Sequence, residues 1–321
     1  MGLLGKLFGN ADTDEKTAGQ NSNQSTTPQE AAPKPMVPSD RLEELVASFK
    51  DQVAANAFAL TIDEERRPSL ISSKLGGLPY WPRDLAYPEP VRQGLSSDER
   101  LALLAQLNLA DLGGDPRLPD HGLLQFFITT DDLYGLEFDI PMDAQRHFRV
   151  IWHEHIDPAI TAEDVLARGI RPAGKEELFP VRGEHALSVK PTVCWMTPED
   201  VRFDRAFHEA CDRLFGEGFA DESRFWADFL EDEDCDRLGD LLNEGGYMSS
   251  MVLGYPFFTQ YDPRGEDNVA DFDTLLLQVD SDLATPSKVM WGDSGVGNFF
   301  INGEALAKGD FSHVLYNWDC Y

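Results

Sequence analysis

The feature that most constrains the fold of this chain is an internal repeat. Three pairs of segments match in the same order and at similar spacing: "GGLPYWPRD" (76–84) with "LGYPFFTQYDPR" (253–264), "LLAQLN" (103–108) with "LLLQVD" (275–280), and "GLLQFFI" (122–128) with "GVGNFFI" (295–301). Because chance rarely preserves both order and spacing, we predict two copies of one strand–loop–strand unit. The first copy spans about 70–155 and the second about 250–321.

Short apolar or alternating runs bounded by Gly, Pro, Asp or Asn predict β-strands in both copies. These runs are 101–109, 122–129, 147–154, 274–280, 288–292, 297–302 and 313–318. An amphipathic helix is predicted from Ser39, and residues 197–245 predict two further helices, which open at Thr197 and Ser223 and bury Phe225. We therefore predict an α+β fold, internally duplicated, with mainly antiparallel sheets and a helical insert.

Residues 1–38 are predicted to form a tail outside the folded domain, which spans 39–321. A short apolar tip (1–8) is followed by a stretch rich in Gln, Asn, Ser, Thr, Pro and Ala. Such a composition cannot bury enough apolar surface to offset the entropy of folding. The tail is therefore expected to lack a packed core.

Composition narrows the classes of function. The chain has 57 acidic and 27 basic residues and a formal net charge of −30. This charge argues against nucleic acid, since binding to phosphates needs clustered Lys and Arg, and it permits a basic protein partner. The four cysteines lack metal-binding or disulfide spacing, and no segment has the pattern of a membrane span or signal peptide. We expect a cytoplasmic protein with no transmembrane segment.

The stretch "WGDSGVGNFF" (291–300) invites two catalytic or binding interpretations. It contains Gly-Asp-Ser-Gly, as around the nucleophile of trypsin-like serine proteases, and closely spaced glycines that are typical of phosphate loops. However, a nucleophilic Ser294 would need a His base and an orienting acid, and a phosphate loop leads into a helix. Gly295 corresponds in the repeat to Gly122, which opens a strand, so we predict a turn followed by a strand.

The blocks "SKLGGLPYWPRD", "GYPFFTQYDPR", "MWGDSGVGNFFI" and the closing "DFSHVLYNWDCY" resemble the YwqG-like family of bacterial proteins. The similarity covers residues 72–321 and leaves out the tail. It implies a cytoplasmic α/β or α+β domain whose biochemical role is not established, with some relatives suspected to act near toxin and immunity systems. The family brings no catalytic residues that can be placed on this chain.

Polar side chains recur within the apolar runs of both copies. Each buried amide left unpaired costs about 1–3 kcal/mol, so these amides need partners. They satisfy the backbone of a neighbouring loop, or the two copies face each other and the polar groups line a cleft for a small polar ligand. The candidate ligand-binding residues are Trp81, Gln106, Gln125, Gln260, Asp262, Gln278, Asp280, Trp291, Asp293, Ser294 and Asn298.

No metal site and no cofactor are predicted, and no residue is assigned a catalytic role. His153 and His155 flank Glu154 on a predicted strand, so both imidazoles point to one face, as in a metal site. The spacing indicates no third ligand. A half-exposed strand face is therefore the favoured interpretation.

Carboxylates in the matched blocks are further candidates for a functional site. They could act as a pair in hydrolysis or supply oxygen ligands to a hard cation such as calcium. Asp is also an ordinary residue of turns. We expect the arginine of each block to pair with its neighbouring carboxylate, Arg83 with Asp84 and Arg264 with Asp262.

These observations support two hypotheses for function. The first, which we favour, is a non-enzymatic binding module whose acidic surface, including Glu231, Asp232, Glu233 and Asp234, meets a basic protein such as a toxin. The second is a binder or hydrolase of a small polar ligand in the cleft between the copies. The salt dependence of binding distinguishes the two hypotheses, because binding through an acidic surface weakens as ionic strength rises, whereas binding in a dry cleft should not.

Overall fold

A computed structural model describes residues 35–137, 141–243, 249–281 and 288–321. The helices in these ranges are α1 (Leu42–Val53), α2 (Ala162–Ala167), α3 (Phe203–Phe215), α4 (Asp232–Asn243), α5 (Gly265–Asn268) and α6 (Gly303–Ala307). The strands are β1 (Ala55–Ile62), β2 (Lys74–Gly76), β3 (Leu101–Asn108), β4 (Leu123–Thr129), β5 (Phe148–His153), β6 (Glu184–Cys194), β7 (Met251–Val252), β8 (Thr274–Asp280), β9 (Gly295–Ile301) and β10 (Val314–Cys320). Most of the predicted tail lies outside the described residues.

The ten strands form one antiparallel sheet in the order β10-β9-β8-β7-β1-β6-β2-β3-β4-β5. The predicted α+β fold, internally duplicated with mainly antiparallel sheets and a helical insert, is wrong, because a single near-barrel sheet dominates and helices are few. The prediction missed β1 and β6, which pair with each other from Ala55 opposite Cys194 to Ile62 opposite Leu187. This pair joins the two halves of the sheet, one made of β2 to β5 and the other of β7 to β10. β1 follows α1 almost directly, and β6 contains Pro191, so neither matched a strand pattern.

The sheet curls until its two ends approach each other. The ring of Phe148 on β5 lies 5.2 Å from that of Tyr316 on β10, and the Tyr316 N–H donates to the carbonyl of Met142 at 3.2 Å. Inside the curled sheet, the ring centroids of Phe126 on β4 and Phe299 on β9 lie 5.0 Å apart. The main apolar core therefore fills the space between the two halves of the sheet.

Smaller apolar clusters cover the outer faces of the sheet. Tyr80 and Trp81 pack over β3 and β4, and Phe258 and Phe272 pack over β8 and β9. Helices α1, α3 and α4 share a further cluster, which includes Val37. Strands covered on both faces are apolar at nearly every position rather than at alternate ones. This explains the continuous burial of β4 and β9.

The two halves share a local irregularity. The strand register shifts between Leu103 and Ala105 in β3 and between Leu275 and Leu277 in β8, the same places under the predicted alignment. The predicted turn before β9 is confirmed, since the Ser294 N–H donates to the Trp291 carbonyl at 3.0 Å and the strand follows at once. The repeat itself stays a prediction.

The helical region between β6 and β7 has its helices at other positions than predicted. Its first helix, α3, begins at Phe203, and Ser223 does not open the second. A 3-10 turn at Trp226–Phe229 precedes α4 instead. Helical spacing therefore does not hold near residue 225, and Phe225, which was predicted to be buried, is 55% exposed. The predicted end of the region near residue 245 lies outside the described residues.

Candidate functional site

Two buried amides on the first half of the sheet hold the loop that covers it. The Tyr80 N–H donates to Gln106 Oε1 at 3.1 Å, and Gln125 Nε2 donates to the Tyr80 carbonyl at 2.9 Å. Gln106 Nε2 also donates to the carbonyls of Leu70 and Ser72, both at 2.9 Å. These amides therefore satisfy loop backbone groups that would otherwise be buried without partners.

His153 completes this polar group and is buried. Its Nε2 lies 2.9 Å from Gln125 Oε1, and its ring packs edge-on against Trp81. Burial lowers the pKa of His153 to about 4. The imidazole is thus neutral at physiological pH and donates its Nε2 proton to Gln125. Trp81 is also buried, and its Nε1 donates to the Leu85 carbonyl at 2.8 Å.

The second half of the sheet repeats this arrangement. The Phe257 N–H donates to Gln278 Oε1 at 2.8 Å, and Asn298 Nδ2 donates to the Phe257 carbonyl at 2.9 Å. Gln278 Nε2 donates to the Ser249 carbonyl at 2.8 Å. Phe257 here stands where Tyr80 stands in the first half. The two amide pairs thus hold two different loops.

The two amide pairs do not meet in one cleft. Gln106 and Gln125 lie under the Tyr80 loop, whereas Gln278 and Asn298 lie under the Phe257 loop, in separate clusters on the outer faces of the sheet. The apolar core fills the space between the halves instead. Ligand binding by these residues stays a prediction that their contacts do not favour.

The other candidate residues are dispersed near the second half. Gln260 Nε2 donates to the Cys320 carbonyl at 2.8 Å. Trp291 is fully buried and stacks on Trp318 with ring centroids 5.9 Å apart. Asp293 and Ser294 lie in the turn before β9, and Asp280 ends β8. None of these placements joins them to Gln106 or Gln125.

A buried cluster of charges surrounds Asp262. Arg264 Nη2 contacts Asp262 Oδ2 at 2.6 Å and Asp200 Oδ2 at 3.2 Å, and all three side chains are almost fully buried. Burial alone would raise the pKa of Asp200, but the hydrogen bond from Arg202 and the charges of Arg264 and Arg202 outweigh it and lower that pKa. The predicted Arg264–Asp262 pair is confirmed. Every charge in the cluster has an opposite partner, as a stabilising network requires.

The corresponding pair in the first half was predicted wrongly. Arg83 contacts Asp164 at 3.0 Å and Asp157 at 3.4 Å rather than Asp84.

Beside the buried charge cluster lies a groove of about 650 Å³ along α3. Its lining includes Gln52, Met196, Arg202, Arg205, Glu209 and Tyr255.

A concentration of exposed negative charge lies in residues 217–240, which we call the acidic segment. Its exposed acidic residues are Glu217, Asp221, Glu222, Asp228, Glu231, Asp232, Glu233, Asp236 and Asp240. The segment contains two basic residues: Arg224 is buried, and Arg237 contacts Glu43 at 2.6 Å. The segment therefore presents negative charge with little local compensation.

Phe225 projects from the acidic segment. It is 55% exposed, and its ring centroid lies 5.4 Å from that of the half-buried Trp226. The Trp226 N–H in turn donates to Asp204 Oδ1 on α3 at 2.6 Å. Aromatic side chains, including Phe, are enriched at protein interfaces relative to the rest of the surface, so this exposed ring is a candidate contact residue.

Three of the four residues predicted to bind a partner are exposed. Glu231 precedes α4, and Asp232 and Glu233 lie in its first turn, where the helix dipole stabilises acidic side chains. Asp234 is 6% exposed and lies 3.9 Å from Arg237, so it is not available to a partner. The sequence did not reveal the exposure of Phe225, because helical periodicity predicted its burial.

Comparison with known proteins places the chain in a family. No helix among the described residues combines the length and the apolar content needed to cross a membrane. A search of curated proteins finds no significant match. One family model matches residues 73–320, which include every strand from β2 to β10. The chain therefore belongs to the family described as "Domain of unknown function (DUF1963)".

Proposed function

We propose that this protein is a non-enzymatic binding module that uses the acidic segment to bind a basic protein. The observation that carries the proposal is the exposed ring of Phe225 within a segment of nine exposed carboxylates. Carboxylates steer a basic partner to the surface and raise its association rate. The aromatic ring then supplies apolar contact that slows dissociation.

The chemistry of the partner follows from the charge of the segment. Nucleic acid is disfavoured, because like charges repel. The resemblance to the YwqG-like family makes a basic toxin one candidate, and a cytoplasmic location agrees with four cysteines that are all free thiols. We therefore propose a cytoplasmic partner rich in Lys and Arg, with an apolar recess for Phe225.

A second candidate function is binding or hydrolysis of a small polar ligand. The cleft between the halves is filled by apolar side chains, so the groove along α3 is the better location for such a ligand. Arg202 and Arg205 on its wall would favour an anionic group. The residues that line this groove include none of those predicted to bind a ligand.

Affinity capture from a lysate of the host organism tests the main proposal. One variant neutralises exposed acids of the acidic segment (Glu231→Gln, Asp232→Asn and Glu233→Gln), and a second carries Phe225→Ala. We expect the wild type to retain a basic protein at low salt and to release it as ionic strength rises. Phe225→Ala should weaken binding by at least about 30-fold, which corresponds to the loss of about 2 kcal/mol or more that is typical of a hot-spot residue.

A matched control neutralises three exposed acids elsewhere on the chain, Glu65→Gln, Glu163→Gln and Glu176→Gln. It changes the net charge by the same amount and should retain the partner as the wild type does. Equal loss of binding in the control would mean that overall charge, not the acidic segment, is responsible. Salt-independent retention, or retention unaffected by Phe225→Ala, would contradict the proposed surface.

A further inference from the structure

Two imidazoles and a carboxylate meet at the surface where β4 begins and β5 ends. One possible ligand atom from each of His121, Glu154 and His155 lies within 4.8 Å of the other two. His121 Nε2 is 4.0 Å from Glu154 Oε1, and the two imidazole rings are stacked with centroids 6.2 Å apart. Imidazole nitrogens with one carboxylate are the donors that zinc and similar ions prefer.

The register of the sheet brings the two histidines together. Leu123 on β4 pairs with His153 on β5, and the same antiparallel register continued by two residues sets His121 opposite His155. The sequence suggested His153 as the partner of His155, but His153 is buried and bonded to Gln125. The third ligand that the sequence lacked is therefore His121, thirty-four positions before His155.

The backbone that carries His121 is held in place. Trp152 Nε1 donates to the His121 carbonyl at 3.0 Å. The next residue, Gly122, has a φ of +97°, and a Cβ atom there would lie 2.4 Å from the His153 carbonyl oxygen. Only glycine allows this close approach. A fixed backbone reduces the entropy lost when side chains gather around an ion.

Asp120 orients the His121 ring. Its Oδ1 accepts a hydrogen bond from His121 Nδ1, which leaves Nε2 as the atom that faces Glu154. Metal-binding histidines commonly donate their second N–H to a carboxylate in this way, which fixes the tautomer and strengthens the ligand. The cluster thus has both a set of ligands and a group that supports one of them.

We propose that His121, Glu154 and His155 bind a divalent transition-metal ion of the zinc class, with Asp120 as the positioning residue. Ligand atoms about 2.0–2.2 Å from a tetrahedral ion lie about 3.3–3.6 Å from one another. The three side chains are exposed, so small rotations about their side-chain bonds would bring their ligand atoms from within 4.8 Å to that separation. Three protein ligands leave one position for water or an external ligand.

Isothermal titration with Zn²⁺ tests this site, using the full chain without a histidine tag after treatment with a chelator. We expect one ion per chain and X-ray absorption that shows nitrogen and oxygen neighbours at about 2.0–2.2 Å. Asp120→Asn should weaken binding by about 10- to 100-fold. His121→Ala and His155→Ala should each weaken it further, because they remove a ligand.

The control is His313→Ala, because the exposed His313 lies 3.0 Å from the half-buried Asp143 but belongs to no group of three possible metal ligands among the described residues. Zn²⁺ affinity should not change in this variant, and Mg²⁺ should not compete, since it prefers oxygen ligands. Circular dichroism verifies that each variant is folded. Absence of one-to-one binding, or equal binding by His155→Ala and the wild type, would overturn the proposal.

Discussion

At the scale of single residues, four buried amides of this protein hold the backbone of two loops. Gln106 and Gln125 bracket the backbone of Tyr80, and Gln278 and Asn298 bracket that of Phe257. The sequence correctly indicated that these amides need partners, since an unpaired buried amide is costly. It offered the backbone of a neighbouring loop as one of two alternatives but could not identify Tyr80 and Phe257, because hydrogen bonds to a loop backbone leave no pattern in side-chain identity.

The buried His153 predicts a pH dependence of stability. Its pKa is lowered to about 4 by burial, below the ordinary value of 6.5. Between these values the unfolded chain binds a proton that the folded chain does not. Stability from this group is thus complete above pH 6.5 and falls by up to about 3 kcal/mol as the pH drops to 4.

Urea unfolding at pH 7 and pH 4.5 measures this effect. His153→Gln keeps a donor for Gln125 but cannot take up a proton, so the loss of stability on acidification should shrink. His185→Gln, at a histidine whose Nε2 contacts the Arg182 carbonyl at the surface, is the control and should retain the loss shown by the wild type. An unchanged pH dependence in His153→Gln would refute the assignment.

At the scale of elements, apolar runs predicted strands well where both faces are covered. The run 274–280 coincides with β8, and the runs at 101–109 and 122–129 differ from β3 and β4 by one residue. β1 and β6 were missed because one continues a helical pattern and the other contains Pro191. These two strands join the halves, so the sheet as a whole could not be predicted.

The candidate sites were only partly visible for the same reason. The sequence shows a run of charge that includes Glu231, Asp232 and Glu233. It did not indicate that Phe225 is exposed, because the helical spacing of apolar residues predicted its burial. His121 was missed because its position opposite His155 depends on the pairing of β4 with β5. Local composition is visible in one sequence, but a contact set by strand register is not.

Two glycines should respond oppositely to alanine. At Gly297 in β9, a Cβ atom would lie 2.4 Å from the buried ring of Trp291, so Gly297→Ala should destabilise the protein by about 1–3 kcal/mol. At Gly239 in α4 a Cβ meets nothing within 4 Å, so Gly239→Ala should stabilise it by about 0.5–1 kcal/mol. Urea midpoints should shift in opposite directions, and equal shifts would contradict this packing.

At the scale of the whole molecule, the described part of the fold separates an apolar interior from a strongly charged helical region. The apolar core fills the space between the halves of the sheet. Residues 197–243 carry 15 acidic and 5 basic residues, a third of the net charge of −30 in about a seventh of the chain. The near-barrel is therefore filled with apolar side chains, and the helical region attached to it carries the concentrated negative charge.

This charge distribution predicts that salt acts on folding and binding in opposite directions. Like charges repel in the compact state, so screening them should raise the Tm. The same screening should weaken capture of a basic partner. The effect on folding is measured by thermal melts and the effect on binding by partner capture, both across one series of salt concentrations.

The two charge variants separate these effects. One variant neutralises Glu231, Asp232 and Glu233, and the other neutralises Glu65, Glu163 and Glu176. Both lose the same net charge, so both should show a smaller salt-induced rise in Tm than the wild type. Only the first set should reduce the salt dependence of partner capture, because only those carboxylates face the proposed partner. If both sets reduced it equally, association would depend on total charge and the acidic segment would have no special role.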